Sequence, residues 1–370
     1  MHHLKRIVVK VGTTTLSTTT GRLDEKQVKS LVGQMAALYR RGVEIVLVSS
    51  GAIASGLASL GMRERPTDIP GLQAAASVGQ GKLVHLYSQL FGDYGIEVGQ
   101  VLLTQYDVTH RQQYLNARNT LDRLLQLGVI PIVNENDTVA VEEIRFGDND
   151  SLAALVAGLI KADLLVTLTD IDGLYTADPK KDPKAEHLRR VDKITPEIEK
   201  LAEDTESELS VGGMVTKVRA AKIAMTSQVG MIIANGRAKN VLKHIYEGRE
   251  VGTLFVPQER RVRSSKHWIA FGVQPSGRIT VDDGARDALL HKDKSLLPAG
   301  VLACEGDFGV GDTVEIADSK GWVFARGKTN FDCAEAERIK GLRTKEAAKL
   351  MGERYCKEVI HRDCLVILEH

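Results

Sequence analysis

Lys10 interrupts an apolar run. It stands in "RIVVKVG" between Val9 and Val11, one residue short of the end of a strand-like stretch. An unpaired lysine is costly to bury. Two readings fit it: a stem that snorkels at the strand end, or a cation held over a phosphate. A second cluster, Asp148, Asn149 and Asp150, opens the apolar stretch "SLAALVAGLIKAD". Asp and Asn accept hydrogen bonds from the first turn of a helix and suit its dipole. One such residue suffices for capping, so three in a row also point to a ligand.

Other candidate strand ends carry small and hydroxyl residues. They read Gly12-Thr13-Thr14, Ser49-Ser50-Gly51, Asn134-Glu135-Asn136-Asp137 and Thr169-Asp170. Glycine lets backbone N–H groups come close to an anion, and a following helix N-terminus adds a favourable dipole. The stretch "VGGMVTKVRAAKIA" repeats the theme, with Gly212 and Gly213 ahead of a helix bearing Lys217. Three such loops in one chain point to a polyphosphate ligand. The familiar phosphate motifs are absent: no GxGxxG follows the first strand, and "GQGKL" at Gly79 continues with Leu83 rather than Ser or Thr.

These groups need a scaffold that brings strand ends together. Residues 1–257 alternate short β-branched runs with helical patterns. "RIVVKVG", "EIVLVSSG", "VGQVLLT", "VIPIVNEND", "ADLLVTLTD" and "GMIIANG" read as strands. "DEKQVKSLVGQMAALYRRG" has helical spacing, with Leu31, Met35, Leu38 and Tyr39 on one face. This alternation predicts an α/β fold with a mainly parallel sheet sandwiched by helices. Ligands of such sheets sit beyond the carboxyl ends of the strands. Residues 258–275, with a basic run at Arg260, Arg261, Arg263 and Lys266, read as a linker. Residues 276–370 hold short strands divided by turns ("GRITVDDG", "GDFGVGDTVEIADSKG", "WVFARGKTN") and predict a small β-barrel-like second domain. "DPKKDPKAEHLRR" reads as a surface loop bordering the site. Trp268 and Trp322 read as core or interface residues, and Cys304 as buried.

Composition narrows the classes. The chain has 370 residues, 43% hydrophobic and 26% charged, with net charge +1, which fits two globular domains. The richest apolar run, Leu152 to Leu168, is broken by Lys161 and Asp163, so no membrane span is expected. The start "MHHLKRIVVKVG" lacks a signal-peptide core. The four cysteines, Cys304, Cys333, Cys356 and Cys364, form no CxxC pair. Reduced thiols in a cytoplasmic protein are the expectation. No HExxH or clustered histidine set points to a protein-held transition metal.

In this order, "VVKVGTTTL", "VSSGAIASG", "NENDTVAV", "FGDNDSLAALVA", "LTDIDGLYTADP" and "GGMVTKVRAAKIA" resemble the glutamate 5-kinase family of amino-acid kinases. The C-terminal part resembles a PUA domain, and the likeness covers almost the whole chain. It implies the amino-acid kinase fold and ATP-dependent phosphorylation of the γ-carboxylate of L-glutamate to L-glutamyl 5-phosphate, the first step of proline biosynthesis. Lys10 and Lys217 would contact the ATP phosphates, and Asp150 would orient both lysines. Ser50, Asp137 and Asn149 would bind glutamate. Thr169, Asp170 and the loop Val211, Gly212, Gly213, Met214, Val215, Thr216, Lys217 would bind the nucleotide, as would Gly12 and Thr13 beside Lys10. Relatives carry a small hydroxyl residue where Val211 stands, so the contact there would be through backbone. The resemblance also implies feedback inhibition by proline at the glutamate site, and a homo-oligomer.

The chemistry of such a reaction agrees with these residue types. A γ-carboxylate is already ionised near neutral pH, so its attack on phosphorus needs no general base. What remains is positioning and electrostatics. Mg²⁺ would be held mainly by the ATP phosphates and keep several waters. Asn134, Asp137 and Asn149 offer acceptors for an α-ammonium, while N–H groups near Gly51 suit the α-carboxylate. The acyl phosphate product is open to attack by its own amine, which favours handover to a glutamyl-phosphate reductase. Relatives of the same fold act on acetylglutamate, carbamate, aspartate, uridylate or an isoprenoid phosphate. A phosphate acceptor would call for added Arg or Lys near Ser50 or Asn134, and an acylated amine would not need Asp137. A PUA domain also raises RNA binding, but residues 266–370 carry 16 Lys and Arg against 17 Asp and Glu. That net of −1 argues against a nucleic-acid partner and for a structural or interaction role. A catalytically dead relative is argued against by the presence of Lys10, Lys217 and Asp150 together.

Overall fold

The computed structural model describes residues 4–18, 23–62, 64–104, 107–108, 111–139, 149–179, 182–203, 213–257, 275–292, 294–352 and 358–368. They belong to two compact units, Met1–Arg261 and Val262–His370. All but the last residue of the 258–275 segment, with its basic run and Trp268, lies outside the described residues, as does Cys356.

The first unit is built on β1 (Arg6–Val11), β2 (Glu44–Ser49), β3 (Val98–Leu103), β4 (Ile130–Glu135) and β5 (Leu164–Thr169). Short strands β6 (Leu174–Tyr175), β7 (His187–Leu188) and β8 (Arg190–Val191) follow, then β9 (Gly230–Asn235) and β10 (Thr253–Phe255). Eight of these form one sheet in the order β3-β4-β2-β1-β5-β9-β10-β8. Every pairing from β3 across to β9 is parallel, and β10 runs antiparallel to β9. The six strands read from the sequence are all present. Their β-branched runs suit strands buried on both faces, and β5 is buried along its whole length.

The helices are α1 (Thr13–Leu16), α2 (Glu25–Tyr39), α3 (Ala52–Ser59), α4 (Ile69–Gly92), α5 (Arg111–Gln126), α6 (Asn149–Leu159), α7 (Pro196–Glu203), α8 (Met214–Thr226) and α9 (Val241–Tyr246). Ile7, Val9 and Val11 pack with Val28, Leu31 and Met35 of α2, Tyr87 and Phe91 of α4, and Val241 and Ile245 of α9. Strand side chains alternate between faces, so Val8 and Lys10 belong to the opposite face. There α6 packs on β1 and β5 and against α8. Lys10 lies in register with Val48 of β2 and Thr167 of β5. The sequence periodicity therefore delivers Lys10 to the face where α6 begins. On the first face α3 and α4 meet in close contact. A Cβ on Gly79 would fall 1.8 Å from the Ala52 carbonyl oxygen, and one on Gly56 would fall 1.8 Å from the Ala75 carbonyl oxygen.

Part of the expected 178–190 surface loop is ordered by pairing. His187–Leu188 pairs with β6, and β8 joins β10 at the sheet edge. The alternation there is too short to read from periodicity.

The second unit contains β11 (Gly277–Val281), α10 (Asp283–His291), β12 (Val301–Gly306), β13 (Thr313–Ala317), β14 (Val323–Lys328), α11 (Cys333–Ile339), α12 (Thr344–Met351) and β15 (Leu365–Ile367). Its five strands run in the order β12-β11-β13-β14-β15 around a core that includes Ile279, Val314, Ile316, Phe324 and Phe331. Asp332 and Glu335 close a capping box at the start of α11. Two expectations change here: of the core and interface readings of Trp322 the core one fails, and Cys304 is less buried than expected. Trp322 is 41% exposed, with the Arg286 guanidinium 5.1 Å from its ring centroid; that cation contact and stacking on Phe324 replace core packing. Cys304 is half-buried, because β12 is an edge strand with a neighbour on one side only.

Candidate active site

Because β1, β2, β4 and β5 run parallel, their carboxyl ends lie on one edge of the sheet, and α6 starts at that edge. Asn149 and Asp150 are its first two residues. Asp150 is fully buried, and Lys10 and Lys217 are each 5% exposed. Lys10 Nζ lies 2.5 Å from Asp150 Oδ1, and Lys217 Nζ lies 3.3 Å from Asp150 Oδ2. Lys10 thus meets a carboxylate within the fold, and the snorkelling reading falls. Burial by itself would raise the Asp150 carboxyl. The charges of Lys10 and Lys217, with their hydrogen bonds, outweigh burial and hold it below the ordinary 3.8. The three groups together carry a single positive charge.

Lys217 is positioned by the first turn of α8, where its ammonium also donates to the Gly213 carbonyl oxygen at 3.3 Å. Thr216 Oγ1 sits 3.2 Å from Asp150 Oδ2 and 2.8 Å from the Gly213 carbonyl oxygen. Gly12 adjoins the other lysine, since a Cβ there would stand 3.6 Å from Lys10 Nζ. Thr13 is exposed at the start of α1, and Asp170 is exposed just past β5. Asp170 Oδ1 accepts from Thr169 Oγ1 at 3.1 Å and from Thr14 Oγ1 at 3.5 Å. Met214 is 7% exposed, so its side chain belongs to the core, and Val215 is half-buried. Val211, Gly212 and Asp148 lie outside the described residues.

A second cluster adjoins the first through Asn149. Its Nδ2 lies 2.9 Å from Ser50 Oγ, 2.8 Å from Asn134 Oδ1 and 3.2 Å from the Ser49 carbonyl oxygen. Gly51 caps α3 with φ +102°, a left-handed conformation that favours glycine. Asp137 is half-buried two residues beyond β4. The structure therefore places Lys10, Asp150 and Lys217 in one bonded group, and Ser50, Asn134 and Asn149 in another. The sequence reading missed Gln80, whose Oε1 accepts from Asn134 Nδ2 at 2.8 Å. It also missed Tyr87, whose hydroxyl meets Ser49 Oγ at 2.9 Å. Both lie on α4. Gln80 is a polar residue on the stripe formed by Ala76, Leu83, Tyr87 and Phe91, and that break in pattern is the signal that could have found it.

Among the described residues, no group of three or more His, Cys, Asp and Glu side chains gathers to hold a metal. No described helix is long and apolar enough to cross a membrane.

A model of the amino acid kinase family matches residues 5–235, and a model of the PUA domain matches residues 277–351. The glutamate 5-kinase of Thermoanaerobacter sp. (strain X514) is 49% identical over 364 residues, which is 98% of this chain and 98% of that protein. The glutamate 5-kinase of Moorella thermoacetica is 48% identical over 364 residues, 98% of this chain and 96% of that protein. Among solved structures, the carbamate kinase of Giardia lamblia bound to AMP-PNP superposes with a TM-score of 0.50 at 19% identity, covering 70% of this chain and 100% of that one, a likeness of fold. By family model, and by 49% identity along almost the whole length of a glutamate 5-kinase, the chain is a kinase that belongs to the amino acid kinase family and carries a PUA domain.

Proposed function

We propose that the protein transfers the γ-phosphoryl group of ATP to the γ-carboxylate of L-glutamate, giving L-glutamyl 5-phosphate and ADP, as the first step of proline biosynthesis. The observation that carries this reading is the buried Lys10–Asp150–Lys217 group beside the Ser50–Asn149–Asn134 amide cluster. The 49% identity to a glutamate 5-kinase supports the choice of acceptor. The AMP-PNP carried by the carbamate kinase of like fold supports ATP as donor.

In this mechanism Lys10 and Lys217 meet the oxygens of the transferring phosphoryl group. The bond between the γ-phosphorus and the bridging oxygen to the β-phosphate breaks as a carboxylate oxygen of glutamate attacks, and the leaving charge passes to ADP. Asp150 holds both ammonium groups in place before substrate arrives. The site then has little reorganisation to complete during reaction, where one preorganised donor is worth about 3–4 kcal/mol. No base is needed, because the nucleophile is already an anion. Gly12, Thr13, Thr169, Asp170 and the sequence segment 211–217 are assigned to nucleotide binding, with Met214 offering backbone only. Ser50, Asn134, Asp137 and Asn149 hold glutamate, with N–H groups at Gly51 toward its α-carboxylate.

Both Asp150 oxygens are engaged, one by Lys10 and the other by Lys217 and Thr216. This donor set fits Mg²⁺ carried on the phosphate oxygens rather than in a protein cage. When bound, the ion supplies charge neutralisation across those oxygens. The likeness to glutamate 5-kinases supports proline as an inhibitor at the glutamate site, a homo-oligomer and a cytoplasmic location, and the reactivity of an acyl phosphate supports its handover to a reductase. The PUA domain takes a structural or interaction role, as its slightly negative charge suits no RNA partner.

The test is an acceptor panel with ATP, trapping acyl phosphate as hydroxamate. Glutamate-dependent hydroxamate is expected. Product with acetylglutamate, carbamate or aspartate but none with glutamate would overturn the reading.

A further inference from the structure

Gln80 sits one residue after Gly79 in the middle of α4 and is 9% exposed. Its Oε1 accepts from Asn134 Nδ2 at 2.8 Å, and Asn134 Oδ1 accepts from Asn149 Nδ2 at 2.8 Å. The direction of this relay is fixed by chemistry. Asn149 Nδ2 also lies 3.2 Å from the Ser49 carbonyl oxygen, and a carbonyl oxygen can only accept. An Asn149 turned end for end would set two oxygens against each other. Ser49 therefore orients Asn149, Asn149 orients Asn134, and the Asn134 amide nitrogen then needs an acceptor. Gln80 Oε1 is that acceptor.

The other end of the relay is Asn149 Oδ1. It is buried and has no hydrogen-bond partner among the described residues. A buried acceptor in this state is unfavourable, and a donor on a bound ligand relieves it. An ammonium group is the strongest such donor. Gln80 is held against drift by the close packing of α4 on α3, where no Cβ fits at Gly79 against Ala52. The same α3 is capped by Gly51 at the site.

We infer that Gln80 is a positioning residue for substrate selection: by anchoring Asn134 it locks Asn149 with its carbonyl oxygen free, so the site prefers an acceptor bearing a cationic nitrogen. This rests on the glutamate reading and adds to it the residue that makes the amine count. Gln80 touches neither reacting group. It acts through Asn134 and Asn149.

The test measures hydroxamate formation by the full chain with glutamate and with glutarate, which lacks only the α-amino group. Gln80→Met fills a similar volume and removes the acceptor. The preference for glutamate over glutarate, as a ratio of kcat/KM, should fall about 10-fold, the size expected for one lost oriented hydrogen bond. The KM for ATP should stay within about twofold, a split that general loosening of the fold would not produce. Gln80→Glu keeps an acceptor for Asn134 and should hold the preference within about threefold; it keeps the inference open to refutation if the Met variant does not fold. An unchanged preference in Gln80→Met overturns the inference, as does a Gln80→Glu protein that loses about 10-fold. Wild-type protein that makes no glutamate-dependent hydroxamate takes down the glutamate reading, and this inference with it.

Discussion

Lys10 Nζ and Asp150 Oδ1 are 2.5 Å apart, with both side chains almost wholly removed from solvent. They come from a strand and a helix start that are 140 positions apart in the chain. A pair so buried is a poor source of net stability, because desolvation offsets much of the attraction. The pair is better explained by a task that needs a fixed cation beside an anionic ligand. Lys217 on the second oxygen of the same carboxylate makes the arrangement symmetrical. One carboxylate aims two cations.

Asp150→Asn should therefore fail in two ways. It leaves two buried ammonium groups without their counter-charge, and breaking a buried pair costs about 3–5 kcal/mol. It also releases the two cations, so kcat should drop by about 100-fold or more. Urea unfolding and turnover of the same preparation check both. A variant with full stability and full turnover would return Asp150 to the role of a simple helix cap.

Lys10→Met isolates the catalytic part. Lys217 remains to neutralise Asp150, so unfolding stability should change less than in Asp150→Asn. A kcat loss of about 10²–10³-fold is expected for removal of one preorganised cation. Circular dichroism confirms the fold, and near-normal turnover would remove Lys10 from the phosphate contact.

Proline keeps the α-carboxylate and amine of glutamate but lacks the γ-carboxylate. If it binds where glutamate binds, it should raise the apparent KM for glutamate and leave kcat at saturating glutamate unchanged. Initial rates across a glutamate series at fixed proline levels give the answer. Unchanged glutamate saturation at high proline would place any inhibition elsewhere.

The parallel sheet was legible because buried β-branched runs and helical spacing alternate in strong form. Lys10 was legible for the opposite reason, as a charge flanked by apolar residues inside such a run. The pairing of Lys10 and Lys217 through Asp150 entered only through family resemblance, since no periodicity links residues so far apart. Gln80 and Tyr87 went unread because a mid-helix amide and a phenol match no ligand motif. Their importance depends on how α4 crosses the sheet. The core reading of Trp322 failed because burial follows from packing that the sequence does not show, and Arg286 covers its face instead.

The α3–α4 contact offers a test of packing that is read from stability alone. Gly79→Ala forces a methyl to 1.8 Å from the Ala52 carbonyl oxygen, so the helices must part. A loss of about 3 kcal/mol is expected, at the upper end for overpacking. Gly81, two residues on in the same helix, has nothing within 4 Å of a built Cβ. Gly81→Ala should stabilise by about 0.5–1 kcal/mol through helix propensity alone. Chemical denaturation of the two variants separates the effects, and equal responses would contradict the close crossing.

Acid should probe the Asp150 pair directly. In the folded protein its carboxyl lies below the ordinary 3.8 despite burial, because Lys10 and Lys217 outweigh desolvation. In the unfolded chain it returns to about 3.9. Near and below that value the unfolded state binds more protons, so lowering pH favours unfolding. The contribution is fully present above about pH 5 and is lost as pH falls through the depressed folded value. Asp150→Asn cannot lose it. The gap in unfolding free energy between wild type and Asp150→Asn should thus be constant from about pH 7 to pH 5 and narrow below about pH 4. Urea titrations at several pH values measure the gap. One that stays constant down to about pH 3 would mean that the carboxylate is not held by the lysines in solution.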